Sequence, residues 1–493
     1  MSIIDFDGMV FYIFLLLLVS IDNSSKVYKI PFCQSNDYIN ISSYLNSDLA
    51  ESLLQLNELY VNLSLGNPPQ KIPFQLNMNS QTFYVSKKYY NPNQSNTCEL
   101  FSYKETSYYF EDLIKGFHYK DYIQINNNRS MTKIDFIYAT EINQENNRKN
   151  MGNIGLLIPS KKIEDVYPFF SSLKKAEIIN SYSWTLKFFR NISVIDTIYN
   201  YGKEGKYIGE FIIGDDPHNY EENKKIYNES TLRKVNAISD FNGLYWDIYF
   251  DSSYIKLKIN NEEIEEKITI EGYKFVELDL DVGFIIGPSE FFNIIKKNFF
   301  NKYQTTCKEK ELINIKFKYY ECDSSNFTLS SFPNIYFESK QLESTFNLTY
   351  KDLFILDEKN NKYLFLIINS RYVNKWIFGT IFLKKYQFVF NIDTKTIGYY
   401  KSFHEYAEIN YNNKNENKEE GESNKDNNIK KAENINKDKI NVPIYIFVIG
   451  IILIIFNVAV IIIYIQKKFF NNKRKRRVNE LENEYNDMNK RII

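Results

Sequence analysis

Two short stretches of the chain carry side chains that could do acid–base chemistry. The first is LNMNS, with Asn77 and Asn79, and the second is LDLDV, with Asp279 and Asp281. In an extended strand alternate side chains share a face, so each stretch would present its two polar groups on one side. An amide hydrogen-bonds but takes up no proton at physiological pH. The repetition raises the question of why one copy carries amides and the other carboxylates.

The composition argues against several classes of protein. The 493 residues carry 61 Lys+Arg against 61 Asp+Glu, so no overall charge favours nucleic acid as a partner. The four cysteines form no C-x-x-C pair and the three histidines are scattered, which gives no support for a metal site. The sequence contains neither G-x-S-x-G nor G-x-x-x-x-G-K-[ST], and no cofactor is predicted.

The two ends of the chain predict membrane targeting. Residues 1–22 contain a short apolar run typical of a signal peptide, with an uncleaved anchor or a core helix as the alternative. Residues 442–465 are uncharged and long enough to span a bilayer, and the basic residues 466–493 mark the cytosolic side. The polar residues 406–441 between them predict a disordered stalk. We therefore expect a single-pass type I protein of the secretory pathway or cell surface, with its N-terminal part lumenal or extracellular.

That topology would permit disulfides and glycans. The chain contains nine N-x-[ST] sequons, and we take four of them as candidate glycosylation sites: Asn62, Asn191, Asn326 and Asn347. An Asn-rich chain also produces such sequons by chance, so the sequons alone do not establish a glycoprotein.

The region between about residues 53 and 401 predicts a mainly β structure. Short runs rich in Tyr, Phe, Ile and Val are separated by Asn, Gly, Pro and Asp turns. Apolar spacing near 3.6 predicts helices at 163–179 and 289–300. The first four residues of the two opening stretches, LNMN (76–79) and LDLD (278–281), form two polar tetrapeptides. Each is followed, many residues later, by apolar residues and a glycine, Gly155 or Gly379. The region therefore repeats itself internally.

This whole region resembles the pepsin-like aspartic peptidases, which are two-lobed β proteins built by internal duplication. The resemblance depends on segments that follow the family's order: ELYVNLSLGNPPQKIPFQLNMNSQTFYV, YYFEDLIKGFHYKDYIQI, GNIGLLIPS, VELDLDVGFIIGPSEFFNII and KWIFGTIFLKKYQFVFNIDTKTIGYY. It implies a bilobed pepsin-like fold with two related β-barrel-like lobes, at residues 53–216 and 217–405, and a central cleft, in addition to the C-terminal transmembrane helix. KVYKIPF, within residues 23–52, resembles the start of the family's pro-segment.

The resemblance implies where catalysis would occur. The family writes its two catalytic loops as D-T-G, and its two aspartates share one proton around a water. One aspartate acts as base on the water and the other polarises the scissile carbonyl. In this chain Asp279 retains the second aspartate, whereas Asn77 replaces the first. The catalytic pair is therefore predicted to be incomplete.

The other positions of the two triads also depart from the family. The threonines, whose hydroxyls tie the two loops together, are replaced by Met78 and Leu280, and the glycines by Asn79 and Asp281. Because glycine permits tight turns and close approach, we expect the new side chains at the glycine positions to crowd the catalytic floor.

The resemblance also assigns residues around the cleft. Tyr109 occupies the position of the flap tyrosine, and Phe110 and Asp112 replace the glycines that follow it. Ser80, after the first triad, is retained, and with Tyr109, Asn79 and Asp281 it is predicted to line the binding cleft.

Three functions remain open at this stage. The first is a membrane-anchored pseudo-peptidase that binds extended polypeptide through main-chain hydrogen bonds without cutting it. The second is an active aspartic endopeptidase, in which Asn77 orients a water that Asp279 alone activates, at a cost of several orders of magnitude in rate. Asp279 and Asp281 do not make a substitute pair, because their side-chain origins would lie ~6–7 Å apart on one lobe. The third is a surface structural or adhesion glycoprotein.

The cysteines complete the expectations. The family has a disulfide in the second lobe, which here implies a bridge between Cys307 and Cys322, 15 residues apart. A loop of that size contributes about 3 kcal/mol. Cys33 and Cys98 either pair with each other or stay free.

Overall fold

A computed structural model describes most of the region between residues 26 and 403. The described residues are 26–34, 59–110, 112–125, 130–143, 151–158, 168–189, 207–240, 243–258, 265–270, 274–312, 317–357, 360–370, 373 and 375–403. The predicted signal peptide, stalk, membrane span and basic tail all fall outside them. Within these ranges, no helix combines the length and apolar character that crossing a bilayer requires.

The first half of the chain folds almost entirely as strands, in keeping with its β-branched and aromatic runs. Its strands are β1 (Tyr28–Gln34), β2 (Leu59–Leu65), β3 (Gln70–Asn77), β4 (Phe83–Ser86), β5 (Glu99–Phe110), β6 (Asp112–Ile125), β7 (Ser130–Asn143), β8 (Gly152–Gly155), β9 (Ser183–Phe188) and β10 (Gly209–Ile213). Helix α1 (Pro168–Lys175) lies within the predicted segment 163–179, and a 3-10 turn covers Pro92–Gln94.

The second half is also mainly strands. They are β11 (Leu232–Asn236), β12 (Ile238–Asp240), β13 (Gly243–Tyr245), β14 (Asp247–Tyr249), β15 (Ser252–Lys258), β16 (Glu265–Ile270), β17 (Phe275–Leu278), β18 (Ile285–Gly287), β19 (Cys307–Leu312), β20 (Phe317–Asp323), β21 (Asn334–Ser339), β22 (Ser344–Leu348), β23 (Phe354–Asp357), β24 (Lys362–Phe365), β25 (Ile367–Ser370), β26 (Trp376–Phe378), β27 (Phe388–Asn391) and β28 (Thr396–Tyr400). The helices are α2 (Pro217–Tyr220), α3 (Ser289–Asn298), α4 (Tyr350–Leu353) and α5 (Thr380–Lys385), with 3-10 turns at Glu229–Thr231, Phe300–Tyr303 and Leu329–Ser331. The prediction of a mainly β chain is confirmed.

The internal duplication is visible in the strand pairing. In the first half β3 pairs parallel with β8, β8 antiparallel with β4, and β4 parallel with β7. In the second half β17, β26, β18 and β25 repeat the same three pairings in the same order. The register sets Asn77 beside Gly155, and sets Leu278 beside Phe378, one residue before Asp279 and Gly379. Each polar tetrapeptide therefore begins where a central strand of its half ends.

Strands from both ends of the chain join the two halves. β27, near the C-terminal end of the fold, pairs with β9 of the first half, and β28 and β11 extend the same 13-stranded sheet. β1, which contains most of KVYKIPF, lies in that sheet between β10 and β2. Its Phe32 side chain is fully buried, so this segment contributes to the core of the described structure.

One hydrophobic core underlies both tetrapeptides. It includes Met78 and Leu280, which are 1% and 0% exposed, and the stacked rings of Trp184 and Phe390, whose centroids are 4.1 Å apart. Trp246 packs edge-on against Phe390 in the same cluster. The two apolar residues of the triads therefore anchor their loops in a shared interior.

The predicted disulfide is confirmed. Cys307 and Cys322 are bonded and lie opposite each other at the first register pair of β19 and β20. Cys33 is buried, Cys98 is half-buried, and no disulfide joins them, so the alternative in which these two cysteines pair is wrong.

Candidate active site

The first polar tetrapeptide closes a turn around its own first side chain. β3 ends at Asn77, and the backbone N–H of Asn79 donates to Asn77 Oδ1 at 2.8 Å. Asn and Asp readily accept a hydrogen bond from the backbone two residues on, which reverses the chain locally. The expectation of an extended strand through Asn79 is therefore wrong, because the side chain of Asn77 competes for the backbone that a strand would need.

The second tetrapeptide makes the same turn. β17 ends at Leu278, and the backbone N–H of Asp281 donates to Asp279 Oδ1, also at 2.8 Å. Asp279 is 6% exposed and Asn77 is 4% exposed. The two first residues thus occupy equivalent buried positions in equivalent turns, and extended structure again stops before the second polar residue.

A glycine at the end of the neighbouring strand, or directly after it, supports each turn. The N–H of Gly155 donates to Thr82 O at 3.0 Å, and the N–H of Gly379 donates to Phe284 O at 3.1 Å. A Cβ on Gly155 would lie 2.5 Å from Ser80 O, and a Cβ on Gly379 would lie 1.9 Å from Val282 O. No side chain fits at either position, so the repeated glycines allow these backbones to approach.

The two turns differ in what can titrate. The pKa of Asp279 is raised to about 8, mainly by burial and also by the nearby charges of Asp281 and Glu277, while hydrogen bonding to the Asp281 backbone and the Asn79 side chain opposes the rise. Asp279 is therefore mainly a neutral acid at neutral pH, able to donate a hydrogen bond. Asn77 has no proton to exchange, so the pair offers one titrating group where two-carboxylate chemistry needs two.

The side chains at the two former glycine positions connect the turns. Asp281 Oδ1 accepts a hydrogen bond from Gln75 Nε2 of the first half at 3.0 Å, and the Asn79 side chain lies close enough to the Asp279 carboxyl to lower its pKa. Neither Asn79 nor Asp281 is among the residues with positive φ. The side chains at the former glycine positions thus make polar contacts across the two halves, without the backbone strain that a left-handed conformation would cause.

Trp246 couples the turns through a second route. Its carbonyl accepts from the N–H of Leu278 at 3.1 Å, and its indole Nε1 donates to Leu156 O at 2.7 Å. The N–H of Leu156 in turn donates to Asn77 O at 2.7 Å. A chain of three hydrogen bonds therefore runs from the first turn to the strand that carries the second.

Of the other residues predicted for the cleft, one has a local structural role, and the side chains of the rest are outside the described part of the structure. The Ser80 hydroxyl accepts from Asn153 Nδ2 at 3.2 Å and from the Thr82 backbone at 3.1 Å, which braces the first turn. Tyr109 pairs with Leu113 near the end of the β5–β6 hairpin, but its side chain, like those of Phe110 and Asp112, falls outside the described part. The structure thus places the hairpin backbone and not its aromatic contacts.

Among the described residues, no cluster of three or more His, Cys, Asp or Glu side chains has the geometry of a metal site. Of the candidate glycosylation sites, Asn326 is exposed in the turn after β20, and Asn62 is half-buried on β2. Asn347 Oδ1 accepts from Lys385 and Tyr386, at 3.1 and 3.0 Å. Asn191 lies outside the described residues, and Asn326 has the most accessible position of the other three.

Sequence reasoning missed Gln75, although a signal for it was present. The correspondence between amide and acid extends one step upstream of the tetrapeptides, since Gln75 and Glu277 occupy equivalent positions two residues before Asn77 and Asp279. The first stretch thus carries three amides where the second carries three carboxylates.

The comparison with known families agrees with this geometry. A family model for eukaryotic aspartyl proteases matches residues 63–401, which include both turns, both glycines and the strands between them. No curated protein matches the chain. With two equivalent turns on a duplicated β scaffold inside the matched region, the chain belongs to the eukaryotic aspartyl protease family.

Proposed function

We propose that this protein is a membrane-anchored pseudo-peptidase that binds extended polypeptide between its two halves without cleaving it. The observation that carries the proposal is the inequality of two otherwise equivalent turns. Asn77 and Asp279 accept the same backbone hydrogen bond at the same 2.8 Å distance, but only Asp279 can exchange a proton. The scaffold that positions a catalytic pair is kept, and the pair is not.

Hydrolysis by this family's chemistry needs one carboxylate to take a proton from water and a second, protonated one to polarise the carbonyl. Asp279, with its raised pKa, is suited to the second role. In the first role Asn77 can only orient a water, because an amide has no basic site strong enough to deprotonate it. The water therefore stays a weak nucleophile, and a bound peptide dissociates from the site before it is hydrolysed.

Binding requires less of these residues than catalysis does. A neutral Asp279 donates a hydrogen bond to a peptide carbonyl, and the Asn77 side chain offers further polar contact. An extended peptide gains most of its affinity from main-chain hydrogen bonds to nearby strands and hairpins. The β5–β6 hairpin, paired through Tyr109 and Leu113, is the element we assign to cover it.

The setting we propose follows from the ends of the chain. Residues 1–22 act as a signal peptide and 442–465 as the single span, which places the family domain in the lumen or outside the cell. The bridge between Cys307 and Cys322 fits an oxidising compartment. Glycosylation at exposed Asn326 belongs to the same proposal.

The test uses the full-length protein, purified in detergent, with an unbiased peptide library and an immobilised statin-type inhibitor. We expect no cleavage above background between mildly acidic and neutral pH, together with retention on the inhibitor. The control is Asp279→Ala, which should match the wild type in the cleavage assay and lose retention.

Two results would decide for the alternatives. Cleavage by the wild type that Asp279→Ala abolishes would make this an active endopeptidase working through one aspartate. Absence of both cleavage and retention would favour the structural or adhesion glycoprotein, in which the fold is only a stable body.

A further inference from the structure

A buried amide connects the two halves at the level of the turns. Gln75 lies on β3, is 3% exposed, and donates from Nε2 to Asp281 Oδ1 at 3.0 Å across 206 residues of sequence. A buried side-chain amide that loses its partner destabilises the fold, since water cannot replace the lost bond. This contact is therefore specific and costly to break.

The contact has a companion with the same polarity. The Asn79 side chain, from the first turn, lies close enough to the Asp279 carboxyl of the second to lower its pKa. In both contacts the amide belongs to the first half and the carboxyl group to the second. Two facing carboxylates would repel each other, whereas an amide and a carboxylate complement each other as donor and acceptor.

The family ties these loops with threonine hydroxyls, and this chain has no hydroxyl at either position. Met78 and Leu280 are buried in the apolar core and cannot hydrogen-bond across the halves. The amide–carboxyl contacts lie beside them. They involve Asn79 and Asp281, which replace the family's glycines, and Gln75, which lies on β3. This chain therefore lacks the threonine hydroxyls that join the loops in the family, and it has amide–carboxyl contacts between the halves at the same level.

We propose that Gln75 and Asp281 form an interlobe lock, supported by Asn79 and Asp279, that positions the two turns in place of the missing threonine hydroxyls. This assigns a role to the partition of the opening tetrapeptides into amides and acids: the first set donates and the second accepts. We further propose that the lock sets the width of the binding cleft, and this part of the inference rests on the proposed function. The lock itself does not depend on any ligand.

The exchange of donor and acceptor is the sharpest test. Gln75→Glu places a carboxylate against Asp281 and should lower Tm of the full-length protein by about 3–6 °C. Asp281→Asn alone places two amides together and should lower it less. The double variant Gln75→Glu/Asp281→Asn restores an amide–carboxylate pair with the direction reversed, and its Tm should return to within about 2 °C of the wild type.

Two controls separate the lock from general damage. Gln81→Glu adds the same charge near the first turn, but Gln81 bonds Ile158 O within its own half at 3.1 Å, so it should show no rescue by Asp281→Asn. Cys307→Ser/Cys322→Ser destabilises the second half far from the turns in sequence. It should leave retention on the immobilised statin-type inhibitor unchanged, whereas Gln75→Glu should reduce retention about tenfold and the exchange variant restore it.

The outcomes distinguish the lock from the proposed function. If Gln75→Glu and Asp281→Asn simply add in Tm, with no recovery in the double variant, the lock is refuted whatever the inhibitor does. If Tm recovers and the wild type is not retained by the inhibitor, the lock stands and the binding proposal fails. If Tm recovers but retention by the variants never changes, the lock joins the halves without setting the cleft.

Discussion

The first and second turns have nearly the same backbone hydrogen bonds and opposite chemistry. Each begins at the end of a central strand, each returns a backbone N–H to its first side chain, and each is supported by a neighbouring glycine, Gly155 or Gly379. Yet the first offers only amides, and the second contains Asp279, whose pKa burial raises to about 8. Asn and Asp have the same shape and both present an acceptor oxygen, so the turn forms equally well with either.

The difference shows that a catalytic scaffold and its reactivity are held by different features. Strand pairing, glycine contacts and the shared core around Met78 and Leu280 specify where the side chains lie. Exchanging one carboxylate for an amide leaves those features intact and removes a proton site. A fold of this family can therefore persist after its chemistry has been lost.

The largest expected effect comes from making the first turn chemically equal to the second. Reverting both turns to D-T-G should raise cleavage of a peptide library by about three orders of magnitude or more, through the variant Asn77→Asp/Met78→Thr/Asn79→Gly/Leu280→Thr/Asp281→Gly. Asn77→Asp alone should stay at background, because the loops keep the other four substitutions. Cleavage by that single variant at the level of the full reversion would show that only the carboxylate was missing.

The next effect comes from making the second turn equal to the first. Because the pKa of Asp279 is raised in the folded state from 3.8 to about 8, folding binds a proton between those values and stability falls as pH rises through that window. Asp279→Asn keeps the acceptor oxygen and removes the titrating proton. It should therefore increase the free energy of unfolding by on the order of 4 kcal/mol at pH 7 and by little at pH 4. Denaturant unfolding across this pH range measures it.

The matched control for that prediction is Asn77→Asp, which puts a buried carboxyl in the first turn and should introduce a new fall in stability with rising pH. A wild-type stability that is flat from pH 4 to pH 8, and unaffected by Asp279→Asn, would contradict the raised pKa.

The disulfide distinguishes the halves, since Cys33 and Cys98 in the described part of the first half form no disulfide. Cys307→Ser/Cys322→Ser should lower the free energy of unfolding by about 3 kcal/mol. Unfolding in denaturant, with Cys98→Ala as the control, measures the difference. Equal stability of the two variants would show that the bridge adds nothing to the second half.

The smallest expected effect tests the equivalence of the two glycines. Gly155→Ala and Gly379→Ala should each lower stability by about 2–3 kcal/mol, because a Cβ would overlap the carbonyls of the supported turn. The larger loss should fall on Gly379, where the overlap is closer. The control is Gly398→Ala, whose Cβ would meet Leu232 Cδ1 at 3.2 Å. Thermal unfolding of all three variants should show little loss of stability in this control.

Much of the fold could be predicted because its signals are local. Alternating aromatic and β-branched runs indicate strands, and the repeated pattern of tetrapeptide and glycine indicates duplication. The turns themselves were predicted as strands, since period-two alternation does not reveal that Asn77 and Asp279 bond the backbone two residues on. Gln75 was missed because its partner is 206 residues away, and no periodicity reports such a contact.

The sequence by itself determined which groups can exchange a proton. Asn77 is an amide and Asp279 a carboxylic acid wherever they lie, so the incomplete pair was readable before any coordinate. Only the tertiary structure decided the state and the partners of those groups. Burial of Asp279 beside Asp281 and Glu277 raises its pKa, and packing of the two halves brings Gln75 to Asp281. Both depend on distances between residues far apart in the chain, which folding alone creates.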